Sequence, residues 1–219
     1  MAQNLFFIIF FIQCYLFKSL LNEKTILENE KGPIGQYTYE LWKDYGNTTM
    51  TLREDGKFSC SWNNIGNALF RIGKRWNSTK TYKEIGNIIV NYEFEYNSDV
   101  ISRYGIYGWT QNPLNEYYIV EDYQGPLPST PKLGTFHVDG SDYDIYKVDH
   151  NSFDADVFSS LWSIRKKKRT KGSVSVTEHF KTWESYKIKL GKIYEVTFCV
   201  EGYNGFGEAN ITKNEIIIY

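Results

Sequence analysis

From Tyr37 to the C-terminus, aromatic and β-branched residues alternate with polar ones in short segments, each broken by a turn signal. Tyr92-Glu93-Phe94-Glu95-Tyr96, Tyr143-Asp144-Ile145-Tyr146 and Ser173-Val174-Ser175-Val176 are examples. Period-two alternation sends successive side chains to opposite faces, so each segment has one face to bury. Turn residues stand at Glu54-Asp55-Gly56 and Val138-Asp139-Gly140-Ser141, as hairpins require. Many short strands at this spacing predict an all-β sandwich or barrel. One segment, Thr177 to about Leu190, reads as a helix instead. Thr177 is its expected N-cap and Glu178 lies in its first turn. Phe180, Trp183 and Tyr186 recur near helical spacing and Gly191 ends the run. It is expected to pack on the outside of a sheet.

At 219 residues with a net charge of −1, the chain suits one domain, with no electrostatic case for nucleic acid or an anionic membrane. Residues 5–17 form an apolar run, short for a transmembrane helix and apt for a signal-peptide core. The expected organisation is a signal peptide over 1–22, a short polar linker over 23–35 containing Gly32-Pro33, and the main folded domain over 36–219. Cleavage is expected around residues 19–23, which implies a secreted protein with no lasting membrane association; an uncleaved anchor is the alternative. Cleavage removes Cys14 and leaves Cys60 and Cys199, which either bridge or serve as small buried hydrophobes. Acceptor sequons begin at Asn47, Asn77 and Asn210. The run Arg165 to Arg169 reads as the solvated part of an exposed strand. No zinc-ligand spacing or phosphate-cradling loop occurs, and His137, His150 and His179 adjoin no nucleophile, so neither a metal nor a cofactor is expected.

Two carboxylates stand out. Glu116 lies in Asn115-Glu116-Tyr117-Tyr118-Ile119-Val120, and Glu201 in Phe198-Cys199-Val200-Glu201-Gly202-Tyr203. Ionised carboxylates are costly to place in half-buried aromatic strands unless something needs them there. A pair facing one cleft is the minimal machinery for glycoside hydrolysis. The chain also carries 18 Tyr, 14 Phe and 6 Trp. Such side chains suit the apolar faces and hydroxyl rims of sugars, and they equally suit strands.

Ordered motifs run from about Tyr37 to the C-terminus. They are Tyr39-Glu40-Leu41-Trp42, Trp62-Asn63-Asn64-Ile65-Gly66-Asn67, Tyr107-Gly108-Trp109 through Glu121, Tyr143-Asp144-Ile145-Tyr146, Trp162-Ser163-Ile164-Arg165 and Val200-Glu201-Gly202-Tyr203. Together they resemble glycoside hydrolase family 11, the small secreted endo-β-1,4-xylanases. The resemblance implies a β-jelly roll of two twisted antiparallel sheets with one helix and a long cleft, acting as a monomer on xylan and xylo-oligosaccharides without a cofactor. It implies Glu116 as nucleophile and Glu201 as general acid/base. Asn67 matches a position beside the acid/base, where a neutral amide adds no third charge. The acid/base pKa is then expected to be set mainly by its partner carboxylate, with a near-neutral optimum. Trp42 matches an aromatic that stacks on a xylose ring, and Tyr107 and Tyr118 match tyrosines lining the catalytic centre.

The chain departs from the family in one place. Members usually carry a long hairpin, the thumb, with a Pro-Ser-Ile tip over the substrate. Here His150 to Trp162 is shorter and lacks that tripeptide. His150 stands where the family has an Arg, and Ser160-Leu161 where it has Gln-Tyr. These read as lost hydrogen bonds over the substrate, hence a more open cleft and weaker binding. A non-catalytic, lectin-like sandwich that keeps the cleft is the alternative function.

Overall fold

The computed structural model describes residues 23–150 and 157–219; the signal-peptide candidate at 1–22 and the thumb tip at 151–156 lie outside the described residues. Fifteen strands follow in chain order: β1 (Lys24–Ile26), β2 (Glu30–Ile34), β3 (Tyr37–Lys43), β4 (Asn47–Leu52) and β5 (Phe58–Asn63) come first. Then come β6 (Asn67–Lys80), β7 (Ile88–Ser98), β8 (Ser102–Gln111), β9 (Asn115–Gln124) and β10 (Gly134–Val138). The last are β11 (Ser141–His150), β12 (Phe158–Arg165), β13 (Lys171–Ser175), β14 (Lys192–Tyr203) and β15 (Phe206–Ile218). They form a six-stranded sheet, β1-β4-β5-β15-β7-β13, and a nine-stranded sheet, β10-β11-β12-β9-β8-β14-β6-β3-β2. This is a β-jelly roll. Pairing is antiparallel except between β9 and β12, which run parallel. The hairpin β10-β11 adds outside them, so the returning β12 enters between β11 and β9 in the same direction as β9.

The alternation read from the sequence decides what each face does. From the nine-stranded sheet, Leu41, Phe70, Phe198, Tyr104 and Tyr117 point inward to meet Phe58, Trp62, Tyr92 and Met50 of the other sheet, all fully buried. Each such side chain contributes roughly 1.5–3 kcal/mol by leaving water. Intervening residues of these strands and of β12, among them Leu69, Tyr107, Tyr118, Val120, Trp162 and Cys199, cluster on the opposite, concave face. Trp62 shows how tightly the inner face is set. A Cβ on Gly202 or Gly207 would come within 2.4 or 2.1 Å of its ring. The glycine after Glu201 is therefore a packing requirement of the core.

Several expectations need correction. Residues 23–35 are not a linker: β1 pairs with β4 and β2 with β3, tying the segment to both sheets. Pro33 is tolerated because β2 is an edge strand, where no ladder donor is needed. The helix runs Val176–Ser185, not to Leu190. Lys187 adopts a positive φ of 61°, and its N–H and that of Ile188 close back on Glu184 and Trp183, so the helix ends there. Thr177 is inside the helix; its hydroxyl accepts the Ile88 N–H at 2.9 Å. Phe180 and Trp183 are buried against Tyr117, as the spacing predicts. A second, one-turn helix, Tyr82–Ile85, is started by the Glu84 carboxylate accepting from the Thr81 backbone and hydroxyl, both at 2.7 Å.

The basic run is not uniformly solvated. Arg165 is buried, with Nη1 donating to the Tyr143 hydroxyl at 2.7 Å, while Arg169 reaches the buried Glu121 carboxylate at 2.6 Å. Cys60 and Cys199 are free thiols, buried in separate clusters between the sheets and under the concave face. Among the described residues no helix is long and apolar enough to cross a membrane, and no group of three or more His, Cys, Asp or Glu could hold a metal ion.

Candidate active site

The concave face of the nine-stranded sheet is ordered in rows by strand register. One row runs Trp42, Leu69, Glu201, Arg103, Tyr123 across β3, β6, β14, β8 and β9. A second runs Thr197, Tyr107, Tyr118, Trp162, Tyr146. A third holds Trp109, Glu116, Ser160 and Val148. Every sequence-predicted site residue therefore falls on this one face, with Glu116 and Glu201 on either side of the aromatic row. Trp42 is 41% exposed, as a side chain available for ring stacking must be.

Glu116 is held by neutral donors. Tyr107 and Tyr118 each donate a hydroxyl to its Oε1 at 2.9 Å, and Ser160 donates to its Oε2 at 2.7 Å. Trp109 Nε1 donates to the Tyr107 hydroxyl at 2.7 Å, fixing that tyrosine in turn. His150 Nε2 lies 2.8 Å from Ser160 Oγ, and its ring stacks on Phe158 with centroids 4.4 Å apart. Because the single Ser160 proton goes to Glu116, His150 must present an N–H to the serine oxygen. This changes the reading of the departures. Ser160 is no loss to the cleft, since it binds the candidate nucleophile directly. Leu161 points the other way, into the core between the sheets. The His150–Ser160 contact escaped the sequence reading because the two residues meet only through the β11–β12 register.

Glu201 is more deeply set, at 3% exposure. Tyr203 donates to its Oε1 at 2.8 Å, Asn67 Nδ2 lies 3.4 Å from the same oxygen, and Arg103 Nη1 reaches Oε2 at 3.2 Å. Burial raises its pKa above the ordinary glutamate range. Arg103 and the Tyr203 hydrogen bond oppose that, the charge of Glu116 adds to it, and Asn67 opposes it weakly. The expectation that the partner carboxylate dominates is thus corrected: desolvation comes first and an unanticipated arginine second. Tyr118 connects the two sites. It bonds Glu116, stacks flat on Trp162 with centroids 3.8 Å apart, and both carboxylates raise its pKa further beyond the effect of burial.

A charged tetrad supports the floor. Arg71 lies 3.0 Å from Glu40 and 3.1 Å from Glu195, Arg75 lies 2.7 Å from Glu195, and Arg75 also pairs with Glu40. The Arg71 Nε–Glu195 Oε1 contact is an ion pair without an aligned hydrogen bond. The Arg71 guanidinium covers the Tyr107 ring at 5.0 Å, so the tetrad abuts the Glu116 cluster. The sequence reading missed it, although Glu40, Arg71 and Arg75 share the strand parity of the cleft residues. Such a compensated cluster can exist beneath a cleft because each charge meets two of opposite sign.

Fold and site together define a β-jelly-roll protein with two unequally held carboxylates on one aromatic cleft. Residues 34–212 match the model of glycosyl hydrolases family 11. Endo-1,4-beta-xylanase A of Bacillus pumilus is 48% identical over 199 residues, covering 89% of this chain and 87% of the relative. Endo-1,4-beta-xylanase A of Thermoclostridium stercorarium is 53% identical over 205 residues, covering 91% of this chain. The chain spans 31% of that relative's length. The structure of the family 11 xylanase from Neocallimastix patriciarum superposes with a TM-score of 0.83 at 30% identity, covering 90% of this chain and 100% of its own. The chain belongs to glycosyl hydrolase family 11.

Proposed function

We propose that this protein is a secreted, monomeric endo-1,4-β-xylanase that hydrolyses internal β-1,4-xylosidic bonds of xylan with retention of anomeric configuration. The observation that carries the reading is the asymmetry of the two carboxylates on one cleft. Glu116, fed by three neutral hydroxyl donors, is equipped to attack as an anion. Glu201, buried and with its pKa raised, keeps its proton to higher pH than an ordinary glutamate. In the first half-reaction Glu116 attacks the anomeric carbon as Glu201 protonates the leaving oxygen, which forms a glycosyl-enzyme. In the second, water attacks the same carbon, its proton passes to Glu201 and the bond to Glu116 breaks. Trp42 offers an apolar platform to a xylose ring, Tyr107 and Tyr118 orient the nucleophile and the sugar, and Asn67 steadies the acid/base. The names of the relatives, endo-1,4-beta-xylanases, support the same substrate.

The test is incubation with xylan, reading new reducing ends and the first-formed anomer by proton NMR. Internal cleavage yielding the β-anomer first is expected. Binding to insoluble xylan without cleavage, or first formation of the α-anomer, overturns the reading. Mass analysis of protein recovered from culture medium tests removal of residues 1–22.

A further inference from the structure

Arg103 stands opposite Glu201 in the β8–β14 register, with Nη1 3.2 Å from Glu201 Oε2. Its guanidinium lies 5.2 Å from the Trp162 ring centre and 4.9 Å from that of Tyr203. The side chain is only 18% exposed, so two aromatic faces and one carboxylate hold it on the cleft floor. The geometry points to Arg103 as a positioning residue for the acid/base: it fixes Glu201 toward the aromatic row and supplies the counter-charge that carboxylate needs once its proton has gone to the leaving sugar. This role rests on the proposed retaining reaction.

The groups around Glu201 leave this task to Arg103. From its own strand come the Tyr203 hydroxyl and the Cys199 thiol, both kept protonated by burial. From β6 comes the neutral Asn67; Arg71, further along that strand, is committed to Glu40 and Glu195. From β9 come Glu116 and Tyr118, neither of them a cation. Burial and the Glu116 anion favour the protonated acid that the first half-reaction needs, and Arg103 works against both. After Glu116 is esterified its charge is gone, while Glu201, now an anion, must take a proton from water. At that stage the guanidinium is the compensating charge in contact with it, and an unpaired buried anion is costly. Arg103 thus stabilises the Glu201 anion of the glycosyl-enzyme, at some expense to the protonated form that the first step needs.

Arg103→Met removes the charge and keeps an apolar stem, Arg103→Gln keeps polarity, and Arg103→Lys keeps charge. The titration of the Glu201 carboxyl, followed by carbon-13 NMR in the parent and each variant, reads the coupling without relying on turnover. Loss of charge is expected to raise the Glu201 midpoint by roughly one pH unit. The alkaline limb of kcat/KM on a xylo-oligosaccharide should rise with it, and Arg103→Lys should restore both toward the parent. A folded Met or Gln variant whose Glu201 midpoint stays at the parental value overturns the inference. If the midpoint moves but the parent does not cleave xylan, the proposed activity fails while the Arg103–Glu201 coupling stands.

Discussion

Glu116 and Glu121 lie five residues apart on β9, and their settings are opposites. Glu116 faces the cleft and accepts hydrogen bonds from Tyr107, Tyr118 and Ser160, all neutral. Glu121 faces the core, fully buried, where Arg169, Tyr92 and Tyr143 close around it. The odd separation sends them to opposite faces, and a register irregularity pairs Tyr104 with Asp122 and Gly105 with Val120, so Glu121 bulges with no residue opposite it on β8. The contrast separates two uses of a carboxylate in one strand, half-buried at Glu116 and fully buried at Glu121. A fixed arginine partner and full burial make Glu121 a structural charge. Neutral donors and an open cleft suit Glu116 to its proposed role as nucleophile.

That contrast can be broken most directly by removing each charge. Glu116→Gln and Glu201→Gln should each lower kcat/KM on xylan by roughly 10²–10⁴-fold or more, with the melting temperature near that of the parent. An unchanged rate in either would refute the assignment. Glu121→Gln should do the reverse, since breaking one partner of a buried pair costs about 3–5 kcal/mol of stability. Urea unfolding reads that loss, and kcat measured where the variant is still folded should match the parent. A stable, inactive Glu121→Gln would erase the distinction.

A third test concerns the other titratable group of the core network. His179 is fully buried, stands edge-on to Tyr143 and Phe136, and has its pKa lowered to about 3, chiefly by burial and then by Arg165 and Arg169. Its folded pKa lies below its unfolded value, so between pH 6.5 and about 3 the unfolded chain takes up a proton that the folded one refuses. Stability should therefore fall as pH drops through that window, by at most about 1.4 kcal/mol per pH unit from this group. A folded His179→Leu variant should show a shallower decline in unfolding free energy. An identical slope would show that His179 does not contribute.

The smallest expected effect lies back in the cleft. Ser160→Ala removes one hydrogen bond to the carboxylate of Glu116, the proposed nucleophile, a loss of about 1.5–3 kcal/mol. It should appear mainly in kcat, because the bond bears on the reacting carboxylate. A variant with only a raised KM would place Ser160 among the substrate contacts.

Much of this was legible in the sequence. Alternation in the segments that form β7, β11 and β13 announced two-faced strands, and the odd spacing of Glu116 and Glu121 is enough to send them to opposite faces. The motifs around Glu116 and Glu201 carried the family. Other parts were not legible, for identifiable reasons. The polar stretch before Tyr37 lacks strand-like composition, and it becomes β1 and β2 only because two sheet edges are there to pair with it. Arg165 and Arg169 read as solvated charge because their partners, Tyr143 and Glu121, lie on other strands. Ser160 read as a loss because its value depends on the parallel β12–β9 pairing that sets it beside Glu116.

By itself, then, the sequence determined the fold class and the two faces of the sheet and pointed to the carboxylate pair, because period-two patterning and local motifs are properties of neighbouring residues. Only the tertiary structure decided which charges are compensated. Arg103 meets Glu201, Arg169 meets Glu121 and His150 meets Ser160 through strand register. Electrostatic environment is set by what lies within a few ångströms in space, and in a sheet that is mostly sequence-distant chain.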